Sequence, residues 1–252
     1  MSLPRGLQAV RGAGAASAFA SPEIEAWVRA TLDGGATLYD AATRAADAVL
    51  QGRGPVPVMV TPGGSWVARR YRRGGRVAPV LGDRYLRVGE ARPLGEARAS
   101  AEAHRRGIPT PRVLAGAVYP AGAFYRADLV TELVPAAVDL GRLLFTDEHD
   151  AAERGRVLEA VGRLLARTAA AGIEHADLNA GNVLIARDPG GPSPLLLDLD
   201  RCRVLAEGAR AHPGRMLARL ARSLRKHERA SGRPLAAAEW TALERAAGGG
   251  GA

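Results

Sequence analysis

Apolar residues recur along this chain with two different periods. From Ala45 to Tyr71 short apolar runs broken by glycine predict a three-strand meander. Its strands are Ala48-Val49-Leu50, Val56 to Thr61 and Trp66 to Tyr71, with turns at Gly52-Arg53-Gly54 and Pro62-Gly63-Gly64. Val113 to Val118 and Ala127 to Val134 predict a second antiparallel pair. Between these sets, Leu94 to Arg106 reads as a helix that ends at Gly107 in a left-handed cap, with Pro109 and Pro111 beyond it. The helical period then takes over. Leu140 to Leu144 opens a helical lobe, and about Ala151 to Ala171 forms its longest helix, with Val157, Val161, Leu164, Leu165 and Thr168 on one stripe. Pro213 to Arg229 predicts a last helix with Leu217, Leu220, Ala221 and Leu224 on one face. Near the start, Ser21 is placed to cap a short helix with Pro22 in its first turn and Ile24, Trp27 and Val28 on its apolar face.

These elements imply an α+β chain in four parts: a loosely ordered, Gly/Ala-rich segment over 1–20, an antiparallel-sheet lobe with one main helix over 21–134, a short and mostly helical lobe over 135–246, and a loose tail over 247–252. The length of 252 residues, with 47% apolar and 24% charged residues, suits a globular chain with a sizeable core. The formal charge of +9 adds something the pattern does not show: it favours an anionic partner, whether nucleic acid, an acidic membrane surface or an anionic substrate. Cys202 is the single cysteine, which excludes an internal disulfide and a multi-cysteine zinc site and agrees with a reducing compartment. No run of about 18 apolar residues is present. Arg5 and Arg11 sit among small residues, but Gly6, Gly12 and Gly14 interrupt any leader-like apolar core, so a cytoplasmic protein is expected.

The chemistry is concentrated between Gly172 and Arg201. His175, Asp177, Asn179 and Asn182 fall within eight residues, followed by apolar Val183-Leu184-Ile185, a Pro/Gly turn, and a second apolar run, Leu195 to Leu197, that ends at Asp198. Moving the terminal phosphoryl group of ATP to a hydroxyl needs a carboxylate beside the acceptor oxygen and oxygen ligands for Mg²⁺. Asp177 suits the first role, and Asn182 with Asp198 the second. A hairpin made of the two apolar runs would deliver Asp198 beside the loop. His175 reads either as a brace of this loop or as a proton-transfer group.

HADLNAGNVLI followed by LLLDLD resembles the catalytic loop and metal-binding aspartate of the protein-kinase-like fold, in the form H-x-D-L-x-x-x-N. That resemblance implies a bilobal chain. It departs from protein kinases in that Asn179 stands where Lys is usual, and Asp198-Leu199-Asp200 replaces Asp-Phe-Gly. The sequence beyond Asp200 holds no Ala-Pro-Glu segment, which points to a small-molecule or lipid-linked acceptor. In this frame Gly52 and Gly54 would cover the ATP phosphates, or form an ordinary hairpin turn. Strand alternation puts Val67 and Arg69 on one face, making Arg69 the candidate phosphate cation in place of lysine, or else a solvated edge residue. Glu96 would pair with it, or sit on the surface near a helix N-terminus. Glu132 and Leu133 would offer backbone groups to adenine at a hinge, or belong to a plain edge strand.

Further stretches resemble 3-deoxy-D-manno-octulosonic acid (Kdo) kinases of the lipopolysaccharide kinase group. They are Arg69-Arg70-Tyr71-Arg72-Arg73-Gly74-Gly75, Tyr85-Leu86, Gly107-Ile108-Pro109-Thr110-Pro111-Arg112, Ala127 to Glu132, and the basic segment Arg215 to Lys226. The resemblance covers about residues 45 to 230. It implies phosphate transfer from ATP, with Mg²⁺, to a hydroxyl of Kdo on lipid A, usually the 4-hydroxyl. Asp177 would activate that hydroxyl, and Asn179 would stabilise the loop or touch the transferred phosphate. Asp200 is a second acidic residue with no assigned role. The partner would be an anionic glycolipid rather than nucleic acid, met at the cytoplasmic face of an acidic inner membrane. Arg215, Arg219, Arg222, Lys226 and Arg229 form a basic stripe that either meets those anions or is a solvated face. Two other readings stand beside this one: an antibiotic- or choline-type kinase, whose cationic acceptors the +9 charge disfavours, and a nucleotide-binding pseudokinase that docks at acidic surfaces.

Overall fold

The computed structural model describes residues 3–13, 15, 17–51, 54–61, 63–72, 82–147 and 149–248. They form an α+β fold of two compact units, one from Met1–Ala101 with Pro111–Leu133, the other from Glu102–Thr110 with Val134–Ala252.

The first unit is built on an eight-stranded antiparallel sheet. Its strands are β1 (Gln8–Val10), β2 (Ser17–Ala20), β3 (Ala48–Gln51), β4 (Pro55–Thr61), β5 (Gly64–Arg70), β6 (Tyr85–Leu86), β7 (Val113–Ala121) and β8 (Phe124–Glu132). The order is β1-β2-β7-β8-β5-β4-β3, with β6 also on β8. Helices α1 (Glu25–Asp33), α2 (Leu38–Arg44) and α3 (Arg92–Arg105) belong to the same stretch of chain. One apolar cluster joins Ile24, Val28, Leu32, Leu38 and Ala42 of the α1 and α2 region to Met59, Trp66, Ala68, Leu114 and Val130 of the sheet. A second joins Ala97 of α3 to Phe19, Tyr71, Tyr125 and Leu129. Strands covered on both faces need apolar residues at nearly every position, which is why β7 reads as a nearly continuous apolar run.

The meander, the second strand pair and α3 with its left-handed Gly107 (φ 72°) lie where the sequence places them. The N-terminal segment does not follow its expectation: β1 pairs with β2, and β2 pairs with β7 through Ser17↔Val118 to Ala20↔Ala115. Ser21 does not cap a helix. Its N–H continues the sheet by donating to the Leu114 carbonyl at 2.7 Å, and α1 begins only at Glu25 with Ile24 at its N-cap and no side-chain cap. The lobe also carries α2, which the sequence reading left out, beside the main helix α3 and the short helix α1 expected after Ser21.

The second unit has a three-stranded sheet, β12 (Gly191–Leu196), β11 (Val183–Asp188) and β9 (Val138–Asp139), and a ribbon of β10 (Ile173–His175) with β13 (Cys202–Val204). Its helices are α4 (Leu140–Phe145), α5 (Ala151–Ala170), α6 (Pro213–Ser231) and α7 (Ala237–Ala246). Asp139 and Asp150 cap α4 and α5, accepting from the N–H groups of Arg142 and Glu153. The expected stripe of α5 is buried from Val157 to Thr168. The helix α7, which the sequence reading left out, packs on α5 at Gly162, where a Cβ would lie 2.5 Å from the Leu243 carbonyl oxygen. Arg154 of α5 and Glu239 of α7 close the contact with an ion pair at 2.8 Å. On α6 the buried residues are Met216, Leu220 and Leu224, while Leu217 and Ala221 lie at the edge of the apolar face. The stripe is therefore rotated from the one the sequence pattern suggests, because Met216 is drawn in against β10.

Candidate active site

The loop between β10 and β11 is shaped by its own side chains. Gly172 turns the chain into it at φ 70°, where a Cβ would meet the Ala209 carbonyl oxygen at 2.4 Å, so only glycine fits. His175 is wholly buried. The Asp177 N–H donates to His175 Nδ1 at 3.3 Å, which assigns the proton to Nε2, 2.8 Å from the Leu197 carbonyl oxygen. The imidazole thus ties the backbone at Asp177 to the residue before Asp198. The Asp177 carbonyl oxygen accepts from Asn179 Nδ2 at 3.0 Å and from Asn182 Nδ2 at 2.9 Å, and Asn179 Oδ1 accepts the Gly181 N–H at 3.0 Å. Ser223 Oγ on α6 accepts the Ala180 N–H at 3.1 Å. Asp177 is held through its backbone, which leaves its exposed carboxylate available for chemistry.

Asn182 and Asp198 are brought together by the hairpin. Val183 pairs with Leu196, and the Leu197 N–H donates to the Asn182 carbonyl at 2.9 Å, so Asp198 follows directly beside Asn182. Asp198 adopts the left-handed region (φ 60°, ψ 58°), a conformation costing a residue with a Cβ about 1–2 kcal/mol. Such local strain in a loop of polar groups is a mark of functional sites. Nδ2 of Asn182 is committed to Asp177, and Asn182 Oδ1 and the Asp198 carboxylate are the hard oxygen donors at this point of the loop. Two such donors fit Mg²⁺, which takes few protein ligands and completes its shell with water and phosphate oxygens. Among the described residues there is no group of three or more His, Cys, Asp or Glu arranged to hold a metal by itself.

Burial pushes the His175 pKa below its ordinary 6.5, with the Leu197 carbonyl acting in the opposite sense. The unfolded chain takes up a proton as pH falls through that value and the folded chain does not. The contribution of His175 to stability is therefore complete above pH 6.5 and is lost as pH falls below it. Urea unfolding at pH 7.5 and 5.5 should show a drop in the midpoint for wild type and a smaller drop for His175→Gln. Equal drops in the two proteins would contradict the assignment of a buried neutral imidazole.

In the first unit, Arg69 on β5 and Glu96 on α3 form an ion pair, as the resemblance to the kinase-like fold implies. The Tyr71 hydroxyl, absent from the sequence reading, donates to the other oxygen of Glu96, and the Arg69 guanidinium lies 5.0 Å from the Tyr71 ring centre. Glu96 is buried, while Arg69 keeps partial exposure. Of the glycine turn, Gly52 lies outside the described residues. Gly54 is close to Arg72, whose guanidinium stands 3.1 Å from where a Cβ would be, a second cation at this turn that the sequence reading missed. At the expected hinge, the N–H groups of Glu132 and Leu133 donate to the carbonyls of Arg112 and Ser65 at 3.0 and 2.8 Å, and the Glu132 carboxylate holds Arg112. Of the backbone groups expected to meet adenine, these two N–H groups are thus already committed.

A family model described as "Lipopolysaccharide kinase (Kdo/WaaP) family" matches residues 44–247. A 3-deoxy-D-manno-octulosonic acid kinase of Xanthomonas campestris pv. campestris (strain B100) is 42% identical over 177 residues, 69% of this chain and 68% of the relative. One of Stenotrophomonas maltophilia (strain R551-3) is 37% identical over the same length and shares of each chain. A solved structure of WaaP in complex with acyl carrier protein matches the fold with a TM-score of 0.54 at 18% identity, covering 90% of this chain and 86% of that one.

Proposed function

The chain belongs to the lipopolysaccharide kinase (Kdo/WaaP) family and is a phosphotransferase acting on a hydroxyl; from that premise we propose that it transfers the terminal phosphoryl group of ATP to the 4-hydroxyl of Kdo on lipid A. The observation that carries this reading is the exposed Asp177 carboxylate on a loop whose backbone is pinned by His175, Asn179 and Asn182, with Asp198 beside it. Asp177 takes the proton from the acceptor hydroxyl. Asn182 and Asp198 would hold Mg²⁺, which when bound neutralises charge on the phosphates. Asn179 keeps the loop open by bridging Asp177 and Gly181, and His175 positions Asp177 without touching substrate. Arg69, braced by Glu96 and Tyr71, contacts ATP phosphates, and Gly52 and Gly54 would cover them. The carbonyls of Glu132 and Leu133 face adenine.

No helix among the described residues is long and apolar enough to cross a membrane. The exposed arginines and lysine of α6 supply a different attachment, to acidic lipid at the cytoplasmic face of the inner membrane. Its acceptor, bearing a sugar carboxylate and lipid A phosphates, is of the sign that the +9 chain attracts.

Transfer from labelled ATP to Kdo-lipid A with Mg²⁺ tests the reading, and labelled lipid is the expected result. Magnesium-dependent ATP binding without labelled lipid would move the acceptor to another small molecule. Absence of both would leave a docking protein. Arg69→Ala should lower kcat/KM for ATP about 100-fold, the scale of removing one preorganised charge from a phosphoryl site. Its KM for the lipid should stay near wild type; a loss confined to that KM would place Arg69 on the acceptor instead.

A further inference from the structure

Four charged side chains gather at one end of the basic helix, and two of them, Glu174 and Arg203, have no part in the roles above. Glu174 of β10 lies directly across the ribbon from Arg203 of β13, and Arg215 and Arg219 stand one turn apart on α6. Their guanidinium nitrogens are 3.8, 3.8 and 3.7 Å from the Glu174 carboxylate. These separations exceed hydrogen-bonding range, so the carboxylate gathers the three guanidinium groups by charge, while Arg219 Nη1 also donates to the Arg215 carbonyl oxygen at 3.4 Å. The Glu174 side chain is 10% exposed, those of Arg203 and Arg215 are 66% and 67% exposed, and that of Arg219 is 34% exposed. The anchor is buried and the donors face outward. Three cations around one anion leave a positive surplus, with planar forks suited to a phosphate or carboxylate.

The placement gives this surplus a use. Arg215, Arg219 and Ser223 lie at i, i+4 and i+8 on α6, and Ser223 holds the catalytic loop at the Ala180 N–H. Four residues of helix span about 6 Å, so the cluster begins about one turn along the axis from the loop contact. Resting on the reading of an anionic glycolipid acceptor, we propose that Arg203, Arg215 and Arg219, gathered by Glu174, form a subsite for a phosphate or carboxylate of the acceptor other than the group that reacts. It fixes which hydroxyl reaches Asp177 by holding the acceptor at a second point.

The test compares wild type with the double variant Arg215→Gln/Arg219→Gln and with Glu174→Gln, using Kdo-lipid A in neutral detergent micelles, where no acidic phospholipid can stand in for the acceptor's own anions. The double variant should raise the acceptor KM about tenfold or more through lost charge-assisted contacts, with KM for ATP within about twofold. Glu174→Gln should raise the acceptor KM by a smaller factor than the double variant, because the three guanidinium groups lose the anion that gathers them. If instead Glu174→Gln and the double variant lose melting temperature and kcat together at unchanged acceptor KM, the cluster is a structural ion pair and the proposal falls. Binding of inorganic pyrophosphate, followed by calorimetry with a non-hydrolysable ATP analogue present, separates this idea from the function it rests on. Wild type that binds pyrophosphate but does not phosphorylate Kdo-lipid A, with binding lost in the double variant, keeps the subsite and discards the acceptor. Phosphorylation and pyrophosphate binding that are both unaffected in the double variant discard the subsite and keep the acceptor.

Discussion

Asp177→Asn should lower kcat for phosphoryl transfer by about 10²–10⁴, the range of a positioned general base, while leaving ATP binding and melting temperature near wild type. The separation of these effects follows from how the loop is built. The backbone N–H of Asp177 is held by His175, and its carbonyl is held by Asn179 and Asn182. An isosteric amide at this side chain leaves all three bonds in place. What disappears is the carboxylate charge and its capacity to accept a proton from the attacking hydroxyl. Single-turnover transfer, nucleotide binding and thermal melting on the same preparation measure the three quantities independently. A variant that keeps more than about a tenth of wild-type kcat would remove Asp177 from the chemistry, on the same scale.

Asn182, by contrast, would be structural and chemical at once on the proposed reading: its Nδ2 supports Asp177, and its Oδ1 is the proposed cation ligand. Substitution there mixes loop collapse with ligand loss, so Asp177 is the cleaner probe.

The catalytic loop was legible because its chemistry is written in neighbouring residues. His175 to Asn182 are contiguous, and the apolar runs on either side of a Pro/Gly turn specify the register that brings Asp198 up to Asn182. Arg69 was legible by alternation, since Trp66 and Ala68 must face the core and Arg69 the other side. What depended on partners distant in the chain was not. The strand β2 carries one large apolar residue, Phe19, and its Gly/Ala-rich surroundings give no local reason to be ordered; pairing with β7 supplies it. Ser21 has the composition of a cap, yet its N–H is spent on Leu114. Tyr71 follows Arg69 by two residues, but only the position of Glu96 on α3 turns that tyrosine into part of the ion pair. Arg203 of β13 and Arg215 and Arg219 of α6 are likewise ordinary surface residues until the β10–β13 ribbon sets Glu174 among them.

Asp128→Ala should destabilise the first unit by about 3–5 kcal/mol, the cost of breaking a buried charge pair from one side. Asp128 on β8 is wholly buried and sits opposite Arg70 of β5 in the ladder. It accepts the Tyr39 N–H at 2.9 Å, and Arg70 Nε lies 3.4 Å from its other oxygen. Burial pushes its pKa up, and the Tyr39 N–H and Arg70 oppose that rise. The same arrangement finishes the N-terminus of α2, whose first three amides find acceptors in the Tyr119 hydroxyl, Asp128 and Thr37. Arg70 also reaches Thr37 at 2.9 Å and Asp40 at 2.8 Å. Alanine in place of Asp128 leaves one of those amides and Arg70 Nε facing a void. Asparagine there would keep an acceptor for Tyr39 and lose only the charge, so Asp128→Asn should cost about 1–3 kcal/mol. Against a typical domain stability of about 5–15 kcal/mol, both losses are measurable by urea unfolding. In Arg70→Met/Asp128→Ala no guanidinium Nε is left facing the void, so the double variant should cost less than the sum of its parts. Additivity, or a loss below about 1 kcal/mol for Asp128→Ala, would show that the pair is solvated rather than buried. The consequence reaches catalysis because Arg70 precedes Tyr71 and follows Arg69 on one strand. A strand freed from its anchor at Arg70 presents both the phosphate cation and the hydroxyl that braces Glu96 less accurately, so KM for ATP should rise in the fraction of Asp128→Asn that remains folded, with acceptor KM unchanged.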